Sequence, residues 1–356
     1  MSWFLAFAGF AALIILHEFG HFLAAKATGM RVERFFLFFP PALAKFRRGE
    51  TEYGIGAIPL GGFVKITGMN PEEELPPEVA PRAYYHQPVW KRIVTIAAGP
   101  AMNLLIAFLV LFLLAFGVSE PTENVGEIEG DSPASQQLRN GDLIVSVDGE
   151  RGDQLDLARA VNRHKCAGGE EEDGCRAATP ARVVIERDGQ RKVLEITPEY
   201  DADLDRSRLG FSYATTPVNP SVPEAARISV DFMWQVTSAT VSVIARLFDP
   251  EQREQISGVV GGYETTRQAI EFDARRALTL IGVISLSLAV INLFPFLPLD
   301  GGHIFWSLVE KVRGRPVPFS VMERAGVIGF VLVLILFLVG LSNDIDRLSG
   351  EGFDVR

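Results

Sequence analysis

Cysteine is nearly missing: the 356 residues hold only Cys166 and Cys175. That excludes a disulfide framework and a cysteine-ligated zinc site. The pair brackets an acidic, glycine-rich insert at 165–178, where an oxidising compartment favours a local disulfide and a reducing one leaves two incidental thiols. Basic charge is also in deficit. With 34 Lys and Arg against 44 Asp and Glu, the formal charge is −10, which argues against nucleic acid as a partner. No Lys or Arg precedes the first apolar run, and no convincing small-residue cleavage site follows it. Residues 3–25 therefore read as a retained transmembrane helix, not a signal peptide.

What is present in excess is apolar surface, 48% of residues, a level that fits a membrane protein carrying a water-exposed part. Four runs approach the roughly 20 residues needed to span a bilayer: Trp3–Ala25, Ile93–Val118, Ala277–Leu299 and Ala325–Leu341. Lys26, Arg31, Arg34, Lys45, Arg47, Arg48, Lys65, Arg82, Lys91 and Arg92 follow the first run, and Lys311, Arg313, Arg315 and Arg324 follow the third. By the positive-inside rule, 26–92 and 301–324 are expected in the cytoplasm, with both termini and the 119–275 segment outside.

Between the spans, residues 53–66 read as an apolar β-hairpin turning near Pro59–Gly62, placed at the membrane. The stretch 76–92 is proline-rich and ends Val89-Trp90-Lys91-Arg92, an interfacial signature. Residues 119–216 alternate short strands and turns around a helix at 154–164, enough for a small α+β domain. The hairpin at 181–196 has Asp188-Gly189 at its tip. Residues 217–275 read as amphipathic linker helices, with Ile228–Leu247 an interfacial helix and Ile256–Gly262 a break. Residues 276–356 hold the last two spans.

Chemistry concentrates in two places. Leu16-His17-Glu18-Phe19-Gly20-His21 reads H-E-x-x-H. On a helix, His17 and His21 leave one face a turn apart, a spacing that suits two nitrogens on one tetrahedral Zn²⁺. Glu18 projects beside them as the general base toward a zinc-bound water. Ionisable groups inside an apolar helix are expensive to insert and mark function. The third run ends Asn292-Leu-Phe-Pro295-Phe-Leu-Pro298-Leu-Asp300-Gly301-Gly302-His303. Its prolines and glycines break the helix where an acid appears. Zinc hydrolases use three protein ligands and leave one position open. Asp300 is the best third ligand, and His303 its competitor.

These motifs resemble the site-2 protease family of intramembrane zinc metalloproteases. The resemblance rests on His17–His21, Gly99-Pro-Ala-Met-Asn103, Ala57-Ile-Pro-Leu-Gly-Gly62, Ile256-Ser-Gly258 and Asn292 through Leu299-Asp300-Gly301. The segment Val125-Gly126-Glu-Ile, with Ser132-Pro133-Ala134 and Asn140-Gly141-Asp142, is similar to bacterial PDZ domains. That favours the members that cleave anti-sigma factors, such as the regulator-of-sigma-E protease. The resemblance implies a polytopic α-helical membrane protein of about four transmembrane helices, a membrane-associated β-hairpin and an inserted PDZ-like domain. It implies one zinc on His17, His21 and Asp300, with Glu18 as base. Asn292, Asn103, Gly61, Gly62 and Pro295 would engage an unwound substrate segment, although Asn103 could equally serve backbone near Pro100. The expected partners are a single-span membrane substrate, a peptide end at the PDZ-like domain and the lipid bilayer, in the inner membrane with the active site toward the cytoplasm. Pro298 stands one place later than in the commoner family pattern, and one PDZ-like unit stands where some relatives carry two. Two rivals, a catalytically silent membrane PDZ adaptor and a zinc permease, share the ligands without the hydrolysis.

Overall fold

The computed structural model describes residues 1–350 except 71, 118, 170, 203 and 247–256. Val118, Leu247 and Ile256, which bound segments read from the sequence, lie outside the described residues. The chain forms two units, Met1–Ala115 with Pro220–Arg356, and Phe116–Asn219.

The first unit starts with α1 (Ser2–Ala27), a proline-free apolar helix. Thr28 ends it by donating its hydroxyl to the carbonyls of Ala24 and Ala25 at 2.8 and 3.1 Å, and Gly29 takes the left-handed φ of +83° that turns the chain away. Two long strands follow, β1 (Val32–Arg48) and β2 (Thr51–Ile66), joined at Gly49-Glu50. This corrects the expected hairpin within 53–66. Residues 34–37 are flanked by 62–65 on one side and by 52–55 on the other, while 44–48 pair with 51–55. The two arms of the expected hairpin therefore do not pair with each other. The 32–37 stretch separates them.

Helix α2 (Val89–Ala115) carries Pro100 in its interior. After the second unit come α4 (Val222–Ala245), α5 (Val259–Phe272), α6 (Ala274–Asn292), α7 (Asp300–Arg313) and α8 (Phe319–Ser349). Five helices, α1, α2, α4, α6 and α8, are long and apolar enough to cross a membrane. Four of these overlap the spans expected from the sequence, and the fifth, α4, holds most of the stretch Ile228–Leu247 expected as an interfacial helix. In the structure Met233 and Val236 of α4 pack against Ala107, Leu286 and Val290, in the middle of α2 and near the end of α6.

Contacts fix the helix directions. Ser2 Oγ donates to Glu271 at 2.7 Å and the Tyr263 hydroxyl to the Trp3 carbonyl at 2.8 Å. The Arg267 guanidinium stacks 4.6 Å over the Trp3 ring. The end of α5 is thus level with the start of α1, and Arg275 reaches the carbonyl of Leu114 at the end of α2. Helix α6 leaves that level and ends at Asn292 beside the histidines of α1. At the far end of α8, Gly258 and Gly261 N–H groups bond Asp344 at 2.9 and 2.7 Å. Earlier in α8, Gly329 meets the backbone of Leu297. So α1 and α6 run one way, and α2 and α8 the other.

The second unit is a small α+β fold. Strands β3 (Ser119–Ile128), β4 (Leu143–Val147), β5 (Ala181–Arg187), β6 (Gln190–Ile196) and β9 (Phe211–Pro217) form a sheet in the order β6-β5-β4-β3-β9. Between them, β7 (Glu199–Asp201) and β8 (Arg206–Arg208) make a separate ladder. Helix α3 (Gln154–Asn162), capped by Asp153, packs Leu157, Ala160 and Val161 into a core with Val125, Val183 and Ile185. Cys166 and Cys175 are disulfide-bonded.

One buried ion pair ties this sheet together. Asp142 is 2% exposed and accepts from Arg187 Nε and Nη2, each at 2.7 Å, and from the Arg139 N–H at 2.8 Å. Burial pushes the carboxyl up, but the Arg187 and Arg139 hydrogen bonds win and hold it below its ordinary value. A depressed carboxylate stabilises the fold above its unfolded pKa, about 3.9, and loses that contribution as pH falls through its folded value. Removing one partner of a buried pair costs on the order of 3 kcal/mol. We expect Asp142→Ala to accelerate amide hydrogen exchange of β5 in the full chain at pH 7 by roughly that free energy. In Asp142→Asn the loss of protection below about pH 4 should be shallower than in the wild type. Equal exchange in all three proteins would contradict this.

Candidate metal centre

His17 and His21 lie on α1 as the four-residue spacing requires, 9% and 7% exposed. Asp300 arrives from the other end of the chain. The 293–299 segment after α6 contains Pro295 and Pro298, which cannot continue a helix, and α7 begins at Asp300. The side chain of Asp300 makes no cap: the N-cap position is Leu299, without a side-chain hydrogen bond. The carboxylate is turned instead to the histidines. Its Oδ2 stands 3.2 Å from His17 Nε2 and 3.3 Å from His21 Nε2, and the two Nε2 atoms are 3.2 Å apart.

This near-equilateral triangle is a test of fit for a metal. Tetrahedral zinc with bonds of about 2.0–2.2 Å holds its ligand atoms roughly 3.3 Å from one another. The donor set, two imidazoles and one carboxylate oxygen, is that of a catalytic zinc site with a fourth position open. Asp300 Oδ2 is buried and makes no hydrogen bond, which is costly unless a cation faces it. The three residues form a group able to hold a metal ion.

The triangle opens on a cavity of about 300 Å³ lined by His17, Glu18, His21, Val64, Asn292 and His303, among others. Val64, on β2, faces the same cavity as Glu18. Glycine 62 lies against Glu18 too: a Cβ built there would stand 3.2 Å from Glu18 Cγ. Of the residues expected to engage substrate, the structure brings Asn292 to this cavity. Gly61 lines a neighbouring apolar cavity with Ile14 and Pro59. Pro295 is exposed on the loop. Asn103 does not line the cavity at all. It is 1% exposed and sits behind His17, its amide nitrogen 3.3 Å from Nδ1. His303, the competing ligand, lines the cavity but is not in the ligand group.

Two supports escaped sequence reasoning. His21 Nδ1 is 3.0 Å from the carbonyl of Thr95 on α2. A backbone acceptor leaves no trace in a sequence. Gly99, one turn later, is in the quoted G-P-A-M-N stretch, but its role is steric. A Cβ built on it would stand 2.2 Å from His21 Nε2, and one on Gly20 would stand 2.3 Å from the Ala98 carbonyl. Both positions must be bare for α1 and α2 to approach and for the imidazole to fit between them.

Residues 5–336 match the profile of Peptidase family M50. The chain belongs to family M50, the site-2 proteases. Among its relatives, zinc metalloprotease Rip1 of Mycolicibacterium smegmatis is 31% identical over 372 residues, covering 90% of this chain and 88% of that protein. Rip1 of Mycobacterium tuberculosis is 30% identical over 392 residues, covering 93% and 94%. Regulator of sigma-W protease RasP of Bacillus subtilis is 25% identical over 420 residues, covering 95% and 97%. This M50 chain is a metalloprotease with several apolar helices, and its relatives' names imply zinc as the metal.

Because Gly99 makes the space that His21 occupies, we expect Gly99→Ala to weaken zinc binding on the order of 10–100-fold, the range seen when the surroundings of a ligand are disturbed. Zinc competition against a chromophoric chelator on the purified chain measures this. Unchanged affinity would show that the helices part without moving the ligand.

Proposed function

We propose that the chain hydrolyses peptide bonds within the membrane, in transmembrane segments of other proteins, with His17, His21 and Asp300 holding one zinc ion. The observation that carries this reading is the triangle of ligand atoms, 3.2–3.3 Å on each side, sharing a cavity with Glu18. When bound, zinc supplies a Lewis acid that polarises the scissile carbonyl and activates water. Glu18 takes the proton of the attacking water and passes it to the leaving amine. The bare Gly62 leaves room for the Glu18 side chain against β2. Asn292 donates to the substrate backbone.

A helical substrate hides its peptide bonds, so the segment must unwind before cleavage. The 62–66 stretch supports an extended form, because its pairing with 32–37 occupies one edge and leaves the other beside Glu18. The Asn292, Gly61, Gly62 and Pro295 set is proposed to contact that form.

Four crossings are proposed. Helices α1 and α6 run one way and α2 and α8 the other, the alternation that four crossings need. The basic residues of 26–92 and 301–324 put the active site toward the cytoplasm of an inner membrane, with the termini and the second unit outside. A disulfide between Cys166 and Cys175 suits an oxidising compartment on that side. We read the second unit as PDZ-like. Its sheet ends in β9, and a cavity of about 430 Å³ between that edge and α3 is lined by Leu157, Val161, Phe211 and Tyr213 among others, the setting for a peptide end added as a strand. There it would sense or filter substrates, with an anti-sigma factor or a similar single-span protein as the substrate class.

The test is cleavage of a single-span substrate by the reconstituted chain. Glu18→Gln should retain zinc and lose activity by about 10²–10⁴-fold, the usual contribution of a general base. Gly62→Val, which crowds the same carboxylate, should lower kcat with zinc content intact. Equal cleavage by wild type and Glu18→Gln, no faster than in vesicles without the chain, would favour the adaptor reading, and zinc flux into sealed vesicles the permease.

A further inference from the structure

We propose that Asn103 is a positioning residue for the metal centre: its side-chain oxygen accepts from His17 Nδ1–H and fixes the tautomer and ring angle with which His17 offers Nε2. The inference deepens the zinc-site reading above and rests on it.

Both histidines turn Nε2 toward Asp300 Oδ2, at 3.2 and 3.3 Å. A nitrogen that donates its lone pair to a metal carries no proton, so the proton of each neutral ring is on Nδ1 and needs an acceptor. For His21 that acceptor is the Thr95 carbonyl, 3.0 Å from Nδ1. The corresponding partner of His17 is the Asn103 amide, with its Nδ2 at 3.3 Å. Two donors then face each other, while Asn103 Oδ1 is buried without any hydrogen bond. Rotating the amide by half a turn removes both defects at once, because the oxygen meets the Nδ1 proton. In amides the two ends are sterically almost equal, so no neighbour has to move.

Among the described residues, the Asn103 side chain has no hydrogen-bond partner besides His17. It is 1% exposed and absent from the cavity lining. Its own carbonyl accepts from Ser285 Oγ on α6 at 2.9 Å, which pins this turn of α2 to the helix that leads to Asp300. The alternative, that Asn103 binds substrate, needs an amide in reach of the cavity, and His17 stands between.

The experiment titrates zinc against a chromophoric chelator on the full-length chain in detergent, for wild type, Asn103→Leu and Asn103→Asp, with KM and kcat measured at saturating zinc. Leucine matches the volume and accepts nothing; aspartate keeps an acceptor in the same place. We expect Asn103→Leu to bind zinc 10–100-fold more weakly, Asn103→Asp to bind within about threefold of wild type, and KM to change in neither. The cobalt-substituted absorption spectrum should shift in Asn103→Leu alone. Zinc affinity kept in Asn103→Leu with a raised KM overturns the proposal in favour of substrate contact. Equal loss in both variants overturns it in favour of packing. If Asn103→Leu does not fold, wild-type-like affinity in Asn103→Asp supports the proposal, and weakened affinity there overturns it. The zinc titration is independent of proteolysis, so a wild type that binds zinc but cleaves nothing counts against the proposed function alone.

Discussion

The structure depends on one meeting: two imidazoles near the N-terminus and one carboxylate from residue 300 must bring their ligand atoms within about 3.3 Å of one another, below an apolar surface. Nothing local in either segment achieves this, so the scaffold is best understood as bracing. Helix α1 is held at both ends, by Tyr263, Arg267 and Glu271 against Ser2 and Trp3, and by Thr28 and Lys91 at its foot, where Lys91 Nζ donates to the Thr28 carbonyl at 2.9 Å. Its depth and rotation are thereby set. Bare backbone at Gly20 and Gly99 lets α2 close against it. The loop carrying Asp300 rests on α8, where Gly329 leaves room for Leu297, and α7 is tied to α2 by the bidentate Arg92–Glu310 pair at 2.6 and 3.0 Å. That pair is nearly buried, so it supplies direction as well as attraction.

What could be read from the sequence divides along a physical line. The H-E-x-x-H helix is legible because its geometry is local: a period of 3.6 residues fixes where two imidazoles go. Asp300 is legible because proline and glycine announce the end of a helix. The long apolar runs announce themselves through hydropathy. The sheet does not. Residues 32–48 carry Pro40, Pro41 and four basic residues, a composition that reads as loop. Their pairing with two separate parts of 51–66 is a tertiary fact without a periodic signature. Helix α4 is hard to read for a related reason. Arg227, Asp231 and Glu224 near its start give the pattern of a surface helix, and only the packing of Met233 and Val236 on α2 and α6 reveals its true neighbours. Gly99 is visible as a letter but not as a function, since the object that it makes room for is 78 positions away in the chain.

The placement of charge explains why such a centre is tolerated in a low-dielectric setting. Glu18 and Asp300 are two carboxylates opening on one cavity. Ionised together without a counterion they would repel strongly, and each would carry a desolvation cost of several kcal/mol. A divalent cation held by His17, His21 and Asp300 would offset both formal charges. The histidines add ligands without adding charge, provided that they stay neutral, which is why the acceptors behind their Nδ1 atoms matter as much as the atoms in front. An apolar environment would favour a site of that composition: one metal of charge two, two acids, and neutral donors for the rest. A third carboxylate or a protonated imidazole would unbalance it. The same reasoning separates His303 from the ligand set. As a cavity-lining imidazole outside the triangle, it would leave that charge balance untouched and the fourth position of a tetrahedral metal open.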